Sequence, residues 1–432
     1  MNAHLALNRF GLGARPGQAA ALTDPKRWLL DQVKAPPSPL PHEAALPSTH
    51  EVARRLFAAK GQDRMAMRDL AGALHRADVQ AWWTSLALTQ TPFFHRWLAF
   101  FSNHFTVSAA KRQVMPLWGA FQRDALRPNV LGRFGDLMLA VAQHPAMLLY
   151  LDNVRSVGPS SRAARGARGL NENLAREILE LHTLGVNGGY TQADIIALAK
   201  IITGWSVPRN AEQLISGTFR FSARAHEPGT KMLLGQGTPQ GRAAGEAAIR
   251  SLGTHPSTAA HLCRKLAVHF VADDPPPALV KALVRAWTES QGNLASVAKT
   301  LIEHPASWTP QTGKLKTPQD LVVSAARAVE AHDGAAMHKA SSKLGQNVAR
   351  APSPAGWDDV ATAWLGPQNM LGRVDLAVKV ANQARGQVTD PLAFGIDLVG
   401  DTLSPSERAQ IGAAPARRGL ILFLASPAFH RR

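Results

Sequence analysis

Through residues 80–105 and again through 114–151, apolar side chains recur three and four positions apart rather than two. That spacing matches the turn of an α-helix and not the alternation of a half-buried strand. A chain written this way can bury its apolar atoms only by packing helix stripes against one another. We therefore expect an all-α fold: a large multi-helix domain with long loops and at most one short β-hairpin. The same reasoning predicts helices over 172–185, 191–203, 242–252, 257–271, 277–290, 293–304, 317–332, 357–365 and 369–386.

Residues 1–50 hold a short apolar start, one helix around 25–33 and a proline-rich connector, APPSPLPHEAALPS. Residues 51–432 read as a single large helical domain. Residues 157–170 have loop composition, and 206–245 are rich in Gly, Pro and polar residues. Within the latter, FRFSA at 219–223 alternates as a short strand does. His144–Pro145, His255–Pro256 and His304–Pro305 each fall where a helix ends or begins, and the first helical position suits proline because its missing N–H would be unpaired there anyway.

With 45% apolar and 18% charged residues the chain can bury a core. Its formal net charge of +17 favours anionic partners, so an anion or nucleic-acid binder is one reading. The basic loop SRAARGAR at 161–168 lacks interleaved aromatics, which argues against nucleic acid. No apolar run approaches the roughly 18–20 residues of a membrane span. No signal peptide stands at the start, so the expected compartment is the cytoplasm unless a partner carries the protein out. Cys263 is the one cysteine, which leaves no internal disulfide to form and no Cys-based zinc site.

On helical wheels, His104 falls within the apolar arc of Phe93–Phe105 while His95 points the other way. His182 falls within the arc of Asn173–Leu184, His269 lies at the edge of the arc of 257–270, and His261 lies outside it. Inward imidazoles need partners and are common metal ligands. The loop Ala225–Lys231 adds His226, Glu227 and Lys231. The expected site is a pocket between the helices 93–105 and 172–185, roofed by loop 224–235. Its metal ligands would be His104, His182 and His226, and its catalytic groups Glu177, Glu180 and Lys231. Iron, copper, zinc or manganese would suit that donor set, and a metal-dependent oxidoreductase or hydrolase is the matching enzyme class. The plainer alternative is that each histidine is hydrogen-bonded to backbone inside the core. Gly-x-Ser-x-Gly and Walker-type loops are absent.

Several segments resemble motifs of a bacterial family catalogued as domain of unknown function 1800. They include LNRFGLGARPG at 7–17, SNHFTVS at 102–108, NENLAREILELHTLGVNGGYTQADI at 171–195, HEPGTKMLLG at 226–235, RKLAVHFVADDPP at 264–276 and APSPAGWDD at 351–359. The likeness runs from about residue 6 to 432. It implies a helical protein without an assigned activity. It also implies a partner, a sulfatase-like protein of the domain of unknown function 1501 family often exported by a twin-arginine signal. A non-catalytic partner or chaperone, carried to the periplasm with that protein, is the rival to the metal-site reading.

Overall fold

The computed structural model describes residues 2–60, 63–164, 169–309, 313–384 and 386–432, main chain only at Lys60. Among these residues are 24 α-helical segments and two pairs of short antiparallel strands, so the fold is all-α. Six helices position the site: α1 (Arg64–Leu88), α2 (Pro92–His104), α3 (Asn173–Glu177), α4 (Pro256–Phe270), α5 (Pro318–Ala328) and α6 (Pro367–Gln383). Strand β1 (Trp205–Ser206) pairs with β2 (Arg220–Phe221), inside the alternating FRFSA segment. Strands β3 (Lys231–Leu233) and β4 (Gln236–Thr238) form a tight hairpin. Among the described residues no helix is long and apolar enough to cross a membrane.

The core is built where apolar helix faces meet. Phe93, Trp97 and Phe101 on α2 are wholly buried, as are Leu262, Cys263, Leu266 and Phe270 on α4. Phe270 lies 5.6 Å from Phe93 and 5.8 Å from Trp97, ring centre to ring centre. Each ring buried in this way stabilises the fold by roughly 1.5–3 kcal/mol. Residues 1–50 are not set apart: Ala6, Leu7, Phe10, Leu12 and Leu29 belong to the same buried cluster as the rest. His95, on the far side of α2, is buried too, because the Thr89–Thr91 turn covers it and hydrogen-bonds its Nδ1.

The His–Pro pairs start helical segments, and the histidines cap them. The Nδ1 atoms of His144, His255 and His304 accept the backbone N–H groups of Ala146, Ser257 and Ala306, at 3.1, 3.2 and 3.2 Å. Each thereby satisfies one of the donors that a helix start leaves free.

Two expected helices take another form. The segment 172–185 begins as α3 but widens into a π-helical turn over Ile178–His182. Gly185, at φ +85°, ends it and donates to Leu179 O at 3.2 Å. A Cβ there would stand 2.6 Å from His261 Nδ1, so this glycine lets the turn approach α4. The segment 357–365 is helical only as a short 3-10 turn at Ala361–Trp364. Polar contacts from distant elements hold 357–359 out of a helix, and tertiary contacts of that kind override local helix preference.

Candidate functional site

A cavity of about 430 Å³ opens between α2, α4 and the loop 351–360. Helix α2 supplies Arg96, Phe100 and His104 to its wall. Helix α4 supplies His261, Lys265 and His269, four residues apart, on a face adjoining its buried leucines. That spacing puts all three along one side of a helix. The loop supplies Trp357, Asp358 and Asp359.

The loop is pinned to α2 by a reciprocal pair. Asn103 Nδ2 donates to Trp357 O, and Trp357 N donates to Asn103 Oδ1, both at 2.8 Å. Gly356 precedes it at φ +83°, and a Cβ there would sit 2.4 Å from Asn103 O. Only glycine fits so close to that carbonyl in the left-handed region.

Asp359 is the centre of the charge arrangement. Its carboxylate takes a hydrogen bond from His269 Nδ1 and lies 3.5 Å from Lys314 and 3.6 Å from Arg432. Burial pushes this carboxyl up, but His269, Lys314 and Arg432 outweigh it and hold it down to about 2. Asp320 is likewise ion-paired, to Arg96 at 3.1 Å and Arg432 at 3.3 Å. Burial lowers His269, with Asp359 opposing; desolvation wins, so the ring is neutral at pH 7. Its Nδ1–H donates to Asp359, leaving the Nε2 lone pair without a partner among the described residues.

His104 is tied at both nitrogens. Its Nε2–H donates to the His182 carbonyl at 3.1 Å, and its Nδ1 accepts from Lys265 Nζ at 3.1 Å. Burial, with Lys265 beside it, drives its pKa well below the usual imidazole value. Burial also pushes the Lys265 ammonium down to about 8, with Asp359 opposing. His261 meets Leu181 O at 3.3 Å and is lowered to about 4, chiefly by burial.

The expected ligand set does not assemble. The His182 ring lies 6.0 Å from that of His104, wholly buried, with neither nitrogen partnered. His226 is elsewhere, under the hairpin loop: its Nδ1–H donates to Thr203 O at 3.0 Å, and its Nε2 accepts from Gly241 N at 2.9 Å. Hydrogen bonds thus occupy both nitrogens of His104 and of His226, which leaves neither a lone pair for a metal. Among the described residues no three His, Cys, Asp or Glu side chains are placed to hold an ion. Glu177, Glu180 and Lys231 do not line the cavity. Lys231 is buried and donates to Glu227 O, while Glu227 accepts from Ser160 N. Loop 224–235 therefore packs onto Thr203 and Ser160 instead of roofing the site. A wider concavity of about 1330 Å³ carries Arg155, Arg209 and Arg224. It adjoins the basic loop, whose residues 165–168 lie outside the described residues.

Three segments that carry the family resemblance, around 102–108, 264–276 and 351–359, meet at the cavity. The model of the family described as Protein of unknown function (DUF1800) matches residues 5–431. The chain belongs to the DUF1800 family. No curated protein and no solved structure matches it, so this DUF1800 site is characterised by its own chemistry. Sequence reasoning found His104 but missed Lys265 and the His269–Asp359 pair. The His-x-x-x-Lys-x-x-x-His run on α4 was the available signal.

Proposed function

We propose that this DUF1800 protein is an enzyme whose working site is the cavity between α2, α4 and the loop 351–360, where His269 and Asp359 act as an acid–base pair. The observation that carries this is the engagement of His269 Nδ1 by an ionised carboxylate while Nε2 keeps an unused lone pair. A carboxylate that orients a neutral imidazole and stabilises its protonated form is how such a pair takes up and returns a proton. The cavity has room for a small molecule, with Trp82, Phe100 and Trp357 as apolar wall and Arg96 and Lys265 as polar groups. A transition metal bound by His104, His182 and His226 has less support, since the partners of His104 and His226 are already in place.

The test is a thermal-shift screen of a fragment library. Fragments that stabilise the wild type by several degrees should fail to do so in Ala99→Trp, which fills the cavity, and should bind differently in His269→Gln. Equal shifts in wild type and Ala99→Trp would overturn the assignment.

A second reading, a docking partner for a sulfatase-like protein, is favoured by one feature. Leu365, Met370, Leu371 and Val374 form an exposed apolar stripe at the start of α6, with Leu371 69% exposed. Leu371→Asp should abolish co-purification with a co-expressed sulfatase-like partner without unfolding the protein. Retained co-purification would remove this reading.

A further inference from the structure

Lys265 differs from the ion-paired cations near the cavity, and Lys316, also without an ion pair among the described residues, sits 4.5 Å over the Phe429 ring and does not line the cavity. Arg96 and Arg432 are paired with Asp320, and Lys314 with Asp273 at 2.7 Å and Asp359 at 3.5 Å. Lys265 makes no ion pair among the described residues. The carboxylate that bears on it, Asp359, is already held by His269, Lys314 and Arg432. Its one hydrogen bond goes to a neutral acceptor, His104 Nδ1, whose tautomer is fixed by the His182 carbonyl on the other side of the ring. A neutral amine can make that bond as well as an ammonium can, and it keeps its lone pair. Burial then favours the neutral amine, the form that adds to carbon.

We propose that Lys265 is a nucleophile, and that the cavity takes a carbonyl compound carrying an anionic group and forms an imine with it. This rests on the cavity being the working site and names its substrate class. In the step, the Lys265 nitrogen adds to the carbonyl carbon. The nitrogen gives up both hydrogens, the carbonyl oxygen leaves as water, and a C=N bond remains. No oxidant or reductant is consumed. His269 lines the same cavity, and its Nε2 lone pair can take a proton from the added nitrogen and return it to the departing oxygen. The anionic group follows from Arg264, next to Lys265 on α4, which is exposed at the cavity wall and makes no ion pair among the described residues. The ring-lined wall of Phe100, Trp82 and Trp357 suits a flat body between the two ends.

The probe is 4-carboxybenzaldehyde with sodium cyanoborohydride at neutral pH, read by intact mass and peptide mapping. Hydride delivered to the imine carbon leaves a stable secondary amine. The expected result is one dominant adduct, on Lys265, at least about tenfold above any other lysine, since an ordinary lysine is almost fully protonated there. It should vanish in Lys265→Arg and fall in Arg264→Ala. The wild-type map alone locates the adduct, so the result does not depend on a variant folding. Labelling spread over surface lysines, or absent from Lys265, overturns the proposal. A parallel arm uses 4-(hydroxymethyl)benzoate, which has no carbonyl. If it binds wild type but not Ala99→Trp while no adduct forms on Lys265, the imine fails and the cavity reading stands. If it binds both alike, the cavity reading itself fails.

Discussion

Neither nitrogen of the His182 ring meets a donor or an acceptor, although the ring is wholly buried. Burial, with Lys265 and His261 nearby, takes its pKa down to about 3, so the ring is neutral but still polar. An unmet buried polar group costs roughly 1–3 kcal/mol, and an apolar replacement of similar size removes that cost. His182→Leu should therefore raise stability by about 1 kcal/mol or more, seen as a higher urea midpoint at unchanged slope. A lower midpoint would mean that something bound in the core uses those nitrogens. His104, 6.0 Å away, behaves oppositely: both its bonds are made, and its loss would strand the Lys265 donor and the His182 carbonyl. Helical spacing predicts that both residues point inward, which is correct. It says nothing of what they meet there, since the partners of His104 come from α4 and from the backbone of the π turn while His182 has none among the described residues.

At the scale of elements, the loop 351–360 depends on one glycine and one asparagine of α2. Gly356→Ala adds the cost of a left-handed non-glycine residue, about 1–2 kcal/mol, and drives a Cβ against Asn103 O. The loop should lift from α2, carrying Asp359 away from His269. The expected outcome is a loss of fragment binding with most helical signal kept, read by thermal shift and circular dichroism. Intact binding would show that the loop adapts. Periodicity predicts α2 and α4 well because their buried faces are continuous stripes. The loop escapes that reading because its conformation is set by Asn103, His269 and Lys314, which are 90 residues or more from it or belong to other elements. An isolated basic residue such as Lys265 reads as solvent-facing until the opposing wall is known. The strand pair at 231–238 was hidden by its glycines, and the alternating FRFSA segment was not.

Across the molecule, several histidines are buried in the neutral form. Burial is the largest cause in lowering His75, His95, His261 and His430 to about 4, and His144 and His182 to about 3. The unfolded chain binds a proton at each near 6.5, and the folded chain resists it. Their contribution is complete above that value and is lost as pH falls toward 3–4. Each adds a slope of about 1.4 kcal/mol per pH unit in that window, so even two acting independently remove about 3 kcal/mol per unit. As pH drops below 6.5 the urea midpoint should fall steadily, where the histidines add their slope. A midpoint unchanged down to about pH 5 would contradict the neutral burial of these rings.

Most side-chain hydrogen bonds of residues 4–10 go to partners several hundred positions later. His4 reaches Asp397 O, Asn8 reaches Leu398 O, and Arg9 reaches the carbonyls of Ser307 and Thr309. During synthesis the opening segment must wait for those partners, on the order of tens of seconds at ordinary translation rates. Phe10, destined for the deepest core, can meet Phe93 early but stays incompletely covered until Phe270 and Trp308 arrive. Production in cells thus leans on holding factors at the ribosome, and slowing elongation near residue 300 prolongs the vulnerable window rather than relieving it.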